Sequence, residues 1–276
     1  MSGRIGVCSW SLRAPGPEEL VERVRACGLA AVQLALDPLR TGAWEEAGTR
    51  RALEQAGIEV LSGMMGMQGE DYSSLASIRA TGGVRPDRHW PANLAAARDN
   101  AARARRLGLR LVSFHAGFLP GDPRDPERAA LLERLRAVAD ACAAEGVDVA
   151  LETGQEGAET LAGVLAELDR KSVGVNFDPA NMLLYGMGDP VAALARLAPW
   201  VRQIHVKDAL PSPVPGRWGS EVPAGSGAVD WPRFFAVARA ARLSVDLVIE
   251  REAGGDRAGD VRAARALLSE VAAEWA

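Results

Sequence analysis

Four polar side chains in the second half of the chain each follow a short apolar run rich in Val, Ile and Leu. Such runs are typical of buried parallel strands. Burying a carboxylate or an imidazole there is costly unless something pairs with it. Three carboxylates and one imidazole suit a divalent metal ion, with Mn²⁺ the first choice and Mg²⁺ or Co²⁺ as alternatives. The four candidates are Glu152 after DVAL, Asp178 after VGVNF, His205 after VRQI and Glu250 after DLVI.

Each candidate also has an ordinary structural interpretation when it is taken alone. A carboxylate at a strand end often caps the next helix or pairs with an arginine, and Asp178 precedes Pro179, which is typical of a turn. A single histidine such as His205 is more often a hydrogen-bonded core residue. Four such residues at the ends of consecutive strands are harder to explain in this way. The sequence therefore predicts a metal site.

Strand-like and helix-like segments alternate along the whole chain. Strict alternation predicts a parallel sheet, and eight units favour a closed α/β (β/α)8 TIM barrel, here one domain over residues 1–276. An open doubly wound sheet is the alternative, but its Gly-rich phosphate loop is missing, since neither GxGxxG nor GxxxxGK[ST] occurs. The predicted strands are 5–9, 31–36, 59–65, 109–115, 147–152, 172–178, 201–206 and 244–250.

Two segments do not fit the regular pattern. Gly66 to His89 is too long for an ordinary connection, and we interpret it as a functional loop over the active face. Ala209 to Val229 is rich in Pro and Gly and is predicted to be irregular. A final helix is predicted to run to about Ala273.

Composition narrows the class of function. The formal net charge is -4, which argues against a nucleic-acid partner and leaves a small carbohydrate substrate open. The three cysteines are widely spaced and indicate reduced thiols rather than a disulfide framework. No signal peptide and no apolar run long enough to span a membrane are visible, so we expect a cytoplasmic protein.

In a barrel of this kind the chemistry lies at the C-terminal ends of the strands, and further candidates for substrate binding lie there. His115 ends the fourth strand and either binds a substrate hydroxyl or satisfies backbone groups. Asn181 either contacts substrate or caps a helix. Lys207 either binds substrate or pairs with the adjacent Asp208, and Arg217 either binds substrate or is simply exposed.

Six segments of the sequence resemble motifs of the sugar isomerase/epimerase superfamily, whose members have a xylose-isomerase-like barrel. The resemblance spans most of the chain, and the motifs after strands six and seven are its most specific parts. The pieces that carry it are ALETGQE (150–156), VGVNFDPANMLLYGMGDP (173–190), RQIHVKDA (202–209), PAGSGAVDW (223–231), VIERE (248–252) and an LGxxxVxxHxG pattern ending at Gly117.

The resemblance implies that Glu152, Asp178, His205 and Glu250 hold one divalent metal ion. In the ketose 3-epimerase branch the two glutamates also act as the acid/base pair, a role that it implies for Glu152 and Glu250. This sequence departs from that branch in two places. Asn181 stands where those epimerases usually have a histidine, and Arg217 comes later than their substrate-binding arginine.

The chemistry expected of such a site is proton abstraction next to a carbonyl, through a metal-stabilised enediolate. We therefore predict a metal-dependent isomerase or epimerase of a sugar, keto-sugar or polyol. The main alternative is a dehydratase or lyase that eliminates water or an aglycone from a keto-sugar or inosose. An apurinic-site endonuclease and a non-catalytic barrel subunit are further alternatives. A homo-oligomer or a partner subunit is also compatible with the sequence.

Overall fold

The protein is described by a computed structural model that covers residues 3–272. Eight parallel strands close into a barrel, which confirms the predicted (β/α)8 fold. The final helix ends at Val271, and the predicted end at Ala273 lies outside the described residues. The barrel strands are β1 (Ile5–Cys8), β2 (Ala31–Ala35), β3 (Glu59–Met64), β4 (Leu111–Phe114), β5 (Asp148–Glu152), β6 (Val173–Phe177), β7 (Val201–Val206) and β10 (Asp246–Ile249).

Helices pack around the outside of the barrel, and two short 3₁₀ helices (Ser9–Leu12 and Ala198–Trp200) complete the connections. None of the helices within residues 3–272 is long and apolar enough to cross a membrane. The α-helices are α1 (Pro17–Ala26), α2 (Asp37–Arg40), α3 (Glu46–Ala56), α4 (Leu75–Thr81), α5 (Trp90–Arg106), α6 (Pro126–Ala144), α7 (Ala158–Leu168), α8 (Pro179–Tyr185), α9 (Pro190–Leu197), α10 (Trp231–Ala240) and α11 (Arg257–Val271).

Alternating side chains along each strand divide the core into two parts. One set, which includes Leu151, Phe177 and Ile204, packs outward in a large apolar cluster with residues of the helices. The opposite set points into the barrel, because period-two alternation places neighbouring side chains on opposite faces. A small interior cluster of this kind contains Cys8 and Val248.

The interior of the barrel also holds a layer of buried polar side chains, which the sequence analysis did not predict. Ser62 on β3 donates to Gln203 Oε1 on β7 at 2.6 Å, and Gln203 Nε2 donates to Asn176 Oδ1 on β6 at 3.2 Å. Gln33 Nε2 on β2 donates to Ser113 Oγ on β4 at 2.8 Å. Since β3 does not adjoin β7 in the sheet, these side chains meet only inside the barrel. The layer lies directly beneath the strand ends that carry the candidate ligands.

The two irregular segments contain some regular structure. The segment from Gly66 to His89 includes α4, and the segment after β7 forms an antiparallel hairpin of β8 (Asp208–Leu210) and β9 (Ser220–Val222). Residues 66–74 and 211–219 remain loops without strands or helices. Both loops contribute to the pocket at the C-terminal end of the barrel.

Asp208 holds the loop after β9 in place. Its carboxylate accepts hydrogen bonds from the backbone N–H groups of Gly225, Gly227 and Val229 at 2.9, 3.2 and 3.1 Å. It also accepts one from Trp231 Nε1 at 3.0 Å. Asp208 is fully buried, so this set of donors supplies the pairing that a buried carboxylate requires. The motif PAGSGAVDW is thus largely a structural clamp around Asp208.

Candidate metal centre

The four predicted ligands meet at one point at the mouth of the barrel. Glu152 ends β5, Asp178 follows β6, His205 lies near the end of β7 and Glu250 follows β10. These strands are consecutive in the sheet, so their ends form one arc. Each residue offers one ligand atom, and these four atoms all lie within 4.8 Å of one another. All four side chains are buried, with at most 5% of any residue exposed.

Asp178 has one carboxylate oxygen with a structural partner and one without. Oδ1 accepts a hydrogen bond from the backbone N–H of Asn181 at 2.9 Å and so caps α8. Oδ2 is buried and has no hydrogen-bond partner among the described residues. An orphaned carboxylate oxygen of this kind is costly. Its position among two other carboxylates and an imidazole fits a divalent cation, for which oxygen-rich donor sets are preferred.

His205 presents its two ring nitrogens to different partners. Nδ1 faces the carboxylates, at 3.3 Å from Glu250 Oε2 and 3.5 Å from Glu152 Oε1. Nε2 lies 2.7 Å from Gln33 Oε1, which accepts its proton. Asn176 Nδ2 also lies near the ring, at 3.0 Å from Nε2, but it already donates to Glu152 Oε2 at 3.1 Å. The free nitrogen for a metal ion is therefore Nδ1, and Gln33 fixes the orientation of the ring.

The charges in this centre shift several pKa values. Burial raises the pKa of Asp178 to about 6, although the Lys207 ammonium opposes this change. Burial also acts against ionisation of Glu250, but Lys207 and His205 outweigh it and hold the pKa of Glu250 well below its usual range. Burial likewise acts to raise the pKa of Glu152, but His115 and His205 together outweigh it, so the pKa of Glu152 is lowered. Both glutamates are thus ionised at neutral pH.

Lys207 is the ammonium group nearest to this centre. Its Nζ donates to Glu250 Oε2 at 2.9 Å, to Glu252 Oε2 at 2.6 Å and to Asn181 Oδ1 at 3.3 Å. It lies 3.7 Å from Asp178 Oδ2. The prediction that Lys207 pairs with the adjacent Asp208 is wrong, because Asp208 is occupied by the loop after β9.

Asn181 and His115 both contact Glu152. Asn181 Nδ2 donates to Glu152 Oε1 at 2.9 Å, and His115 Nε2 lies 3.6 Å from the same oxygen. The capping role considered for the Asn181 side chain belongs instead to Asp178. Both side chains line the same pocket as Lys207 and Glu250, so the structure brings them to the candidate site. Their role in binding substrate stays a prediction.

Arg217 does not reach the pocket in this structure. It is exposed in the loop between β8 and β9 and is not among the residues that line the cavity. The adjacent Trp218 does line it. The role of Arg217 as a substrate ligand stays a prediction.

Several pocket residues were not singled out by the sequence analysis. Glu70 and Tyr72 come from the loop after β3, and Tyr185 comes from α8. Glu252 stands two residues after Glu250 in VIERE, which is the one local signal that could have drawn attention to it. Trp10 also lines the pocket and donates from Nε1 to Glu250 Oε1 at 2.7 Å.

Comparison with solved structures identifies proteins of the same architecture. A xylose isomerase domain protein from Planctomyces limnophilus shares 31% sequence identity over 92% of this chain and 93% of that one, with a TM-score of 0.85. An L-ribulose 3-epimerase shares 16% identity over 99% and 95% of the two chains, with a TM-score of 0.76. A xylose isomerase-like TIM barrel protein from Mycobacterium smegmatis, in complex with magnesium, shares 18% identity over 99% and 98%, with a TM-score of 0.75.

No curated protein sequence matches the chain. A profile of the family described as xylose isomerase-like TIM barrel matches residues 21–271, which is most of the chain. The barrel topology and the extent of this match agree with the resemblance found in the sequence motifs. The chain therefore belongs to the xylose isomerase-like TIM barrel family.

Proposed function

We propose that this protein is a divalent-metal-dependent isomerase or epimerase that acts on a sugar, keto-sugar or polyol. The observation that carries the proposal is the convergence of Glu152, Asp178, His205 and Glu250 at the end of the barrel. The orphaned Asp178 Oδ2 supports it. An epimerase and a magnesium complex among proteins of the same fold agree with this class of chemistry.

The four ligands would hold the cation through one atom each, with Mn²⁺ or Mg²⁺ as the ions that the donor set favours. When bound, a divalent ion supplies Lewis-acid chemistry, since it polarises a carbonyl and makes the neighbouring C–H more acidic. The hydrogen bond to Gln33 orients the His205 ring so that Nδ1 faces the metal position. The carboxylates are positioned by the partners of their second oxygens, such as Asn176 for Glu152.

Glu152 and Glu250 are the groups that we assign to proton transfer. They come from β5 and β10, on the two sides of the strands that carry Asp178 and His205, so they approach a substrate from different directions. Without a metal their pKa values are already lowered, and a bound cation would favour the ionised form further, which is the state that accepts a proton from carbon. His115 Nε2 lies 3.6 Å from Glu152 Oε1, and its protonated form favours the ionised state of that carboxylate. Return of a proton to the opposite face of the same carbon gives an epimer, and return to the neighbouring carbon gives an isomer.

The test is metal-dependent exchange of carbon-bound hydrogen. The purified protein, loaded with Mn²⁺ or stripped with EDTA, is incubated in D₂O with a panel of ketoses, aldoses and 3-keto-sugars, and the products are followed by NMR. We expect deuterium next to the carbonyl, together with an isomer or epimer, in the metal-loaded sample alone. Glu152→Gln and Glu250→Gln should each lower the rate by at least about a hundredfold, whereas the exposed α6 variant Glu133→Gln should not.

Two outcomes would contradict the proposal. Equal exchange with and without metal would refute the metal dependence. Loss of water or an aglycone, without formation of an isomer, would assign the protein to the eliminating enzymes instead.

A further inference from the structure

The pocket above the metal centre has a volume of about 480 Å³. Charged side chains line its base, and much of the rest of its lining is apolar. The ligands at its base are buried, whereas Tyr72 at its mouth is 45% exposed. An apolar wall of the pocket is formed by side chains from β3, the loop after it, α8 and the loop after β8, namely Met64, Tyr72, Leu184, Tyr185 and Trp218. The rings of Tyr185 and Trp218 are in contact, with centroids 4.7 Å apart.

The carboxylates of Asp37 and Glu70 in this lining already have partners. Asp37 Oδ2 accepts from the Gly66 N–H at 2.6 Å, and Asp37 Oδ1 pairs with Arg40 Nε at 2.8 Å. Glu70 Oε1 accepts from the Gly83 N–H at 2.9 Å, and Glu70 Oε2 accepts from the Tyr72 hydroxyl at 3.3 Å. A substrate that extends beyond the metal centre would therefore find these two carboxylates partly occupied by protein donors.

The charge of the pocket is strongly negative. Its lining includes the carboxylates of Asp37, Glu70, Glu250 and Glu252. Among the described residues that line it there is no arginine, and Lys207 is the one primary amine. That ammonium is already paired with Glu250 and Glu252. A phosphate group placed away from the proposed metal ion would face several carboxylates and no unpaired ammonium or guanidinium of the described lining, and like charges at close range oppose binding.

From these observations we propose that the substrate is an uncharged carbohydrate that carries an alkyl or aryl substituent at the end remote from the metal, and is not a sugar phosphate. The carbohydrate part of this inference rests on the proposed function. The substituent part rests on the apolar wall, which would be left exposed to water beside a simple monosaccharide. Tyr185 and Trp218, which pack edge to face, offer aromatic surface for such a group.

The test uses matched ligand sets and the Mn²⁺-loaded protein. Dissociation constants are measured by calorimetry for methyl β-D-glucoside, phenyl β-D-glucoside and glucose 6-phosphate, and for the same set built on galactose. In at least one set the phenyl glycoside should bind at least about tenfold more tightly than the methyl glycoside. The phosphate should bind at least about tenfold more weakly than the phenyl glycoside.

Variants of the apolar wall distinguish specific binding of the phenyl group from nonspecific hydrophobic binding. Trp218→Ala and Tyr72→Ala should each bring the ratio of phenyl to methyl affinity towards one, whereas Trp218→Phe should keep most of it. Equal affinity for phenyl and methyl glycosides in both sets, absence of binding by both included, would overturn the inference. So would tighter binding of a phosphate than of its phenyl counterpart.

Failure of this inference is distinguishable from failure of the proposed function. Metal-dependent deuterium exchange that prefers a phosphorylated sugar would reject the inference and leave the proposed function intact. Tight binding of phenyl glycosides, with no exchange in any sugar, would reject the function and leave the inference about the pocket intact.

Discussion

Glu156 allows a quantitative test of the structure, because it is a buried acid that the proposed chemistry does not use. It lies directly before Gly157, the N-cap of α7, and only 7% of it is exposed. No hydrogen bond or ion pair with another described residue offsets this burial. Burial raises the pKa of its carboxyl from 4.5 to about 8.

The sign of the effect on stability follows from proton binding. Between pH 4.5 and 8 the folded protein keeps the proton on Glu156, whereas the unfolded chain releases it. The folded state therefore binds more protons, and the free energy of unfolding falls as the pH rises through this range. The difference between the two pKa values corresponds to about 5 kcal/mol, at about 1.4 kcal/mol for each pH unit. The nearby helix N-terminus favours the ionised form by up to about 1 kcal/mol, which leaves about 4 kcal/mol.

The perturbation is Glu156→Gln, which keeps the shape of the protonated side chain and cannot ionise. At pH 5 the variant and the wild type should have nearly the same free energy of unfolding. At pH 9 the variant should be more stable by about 4 kcal/mol. The assay is urea denaturation of the metal-free protein at both pH values, with the exposed Glu133→Gln as the matched control. A difference between variant and wild type that is the same at pH 5 and pH 9 would refute the reasoning.

Substitutions at three further positions test the metal centre and the loop after β9. Lys207→Met removes an ammonium that competes with the metal for Glu250 and that we expect to bind substrate. Calorimetry should therefore show unchanged or tighter Mn²⁺ binding, while turnover falls roughly a hundredfold; weaker Mn²⁺ binding would contradict the competition for Glu250. Gln33→Leu removes the partner of His205 Nε2 and should weaken Mn²⁺ binding about 10- to 100-fold, whereas Gln33→Glu should restore much of it. Asp208→Asn weakens the clamp on the loop after β9 and should lower the free energy of unfolding by about 3 kcal/mol in urea titrations; an unchanged value would argue against the clamp.

The order of the elements and the four ligands could be predicted from the sequence because both depend on local patterns. Apolar runs such as VGVNF mark buried strands, and a polar residue at the end of each run lies at the C-terminal face of a parallel barrel. Consecutive strands are neighbours, so Glu152, Asp178, His205 and Glu250 had to lie near one another once the barrel closed.

The surroundings of the ligands were decided only by the tertiary structure. Gln33 meets His205 although 172 positions separate them in the chain, and no pattern within β2 indicates that contact. The same holds for Trp10 and Glu250, which are 240 positions apart. Glu70 and Trp218 come from loops, where no periodicity indicates which side chains face the pocket.

The physical reason is the range of the forces that act in each case. Strand formation and side-chain alternation depend on neighbours in the chain, so the sequence by itself determined the barrel and the residues at its C-terminal face. Hydrogen bonds across the barrel form only when closure brings distant strands within about 3 Å of each other. The pocket's apolar wall and excess of carboxylates were likewise decided by the fold, because they depend on how two long loops lie over the strand ends.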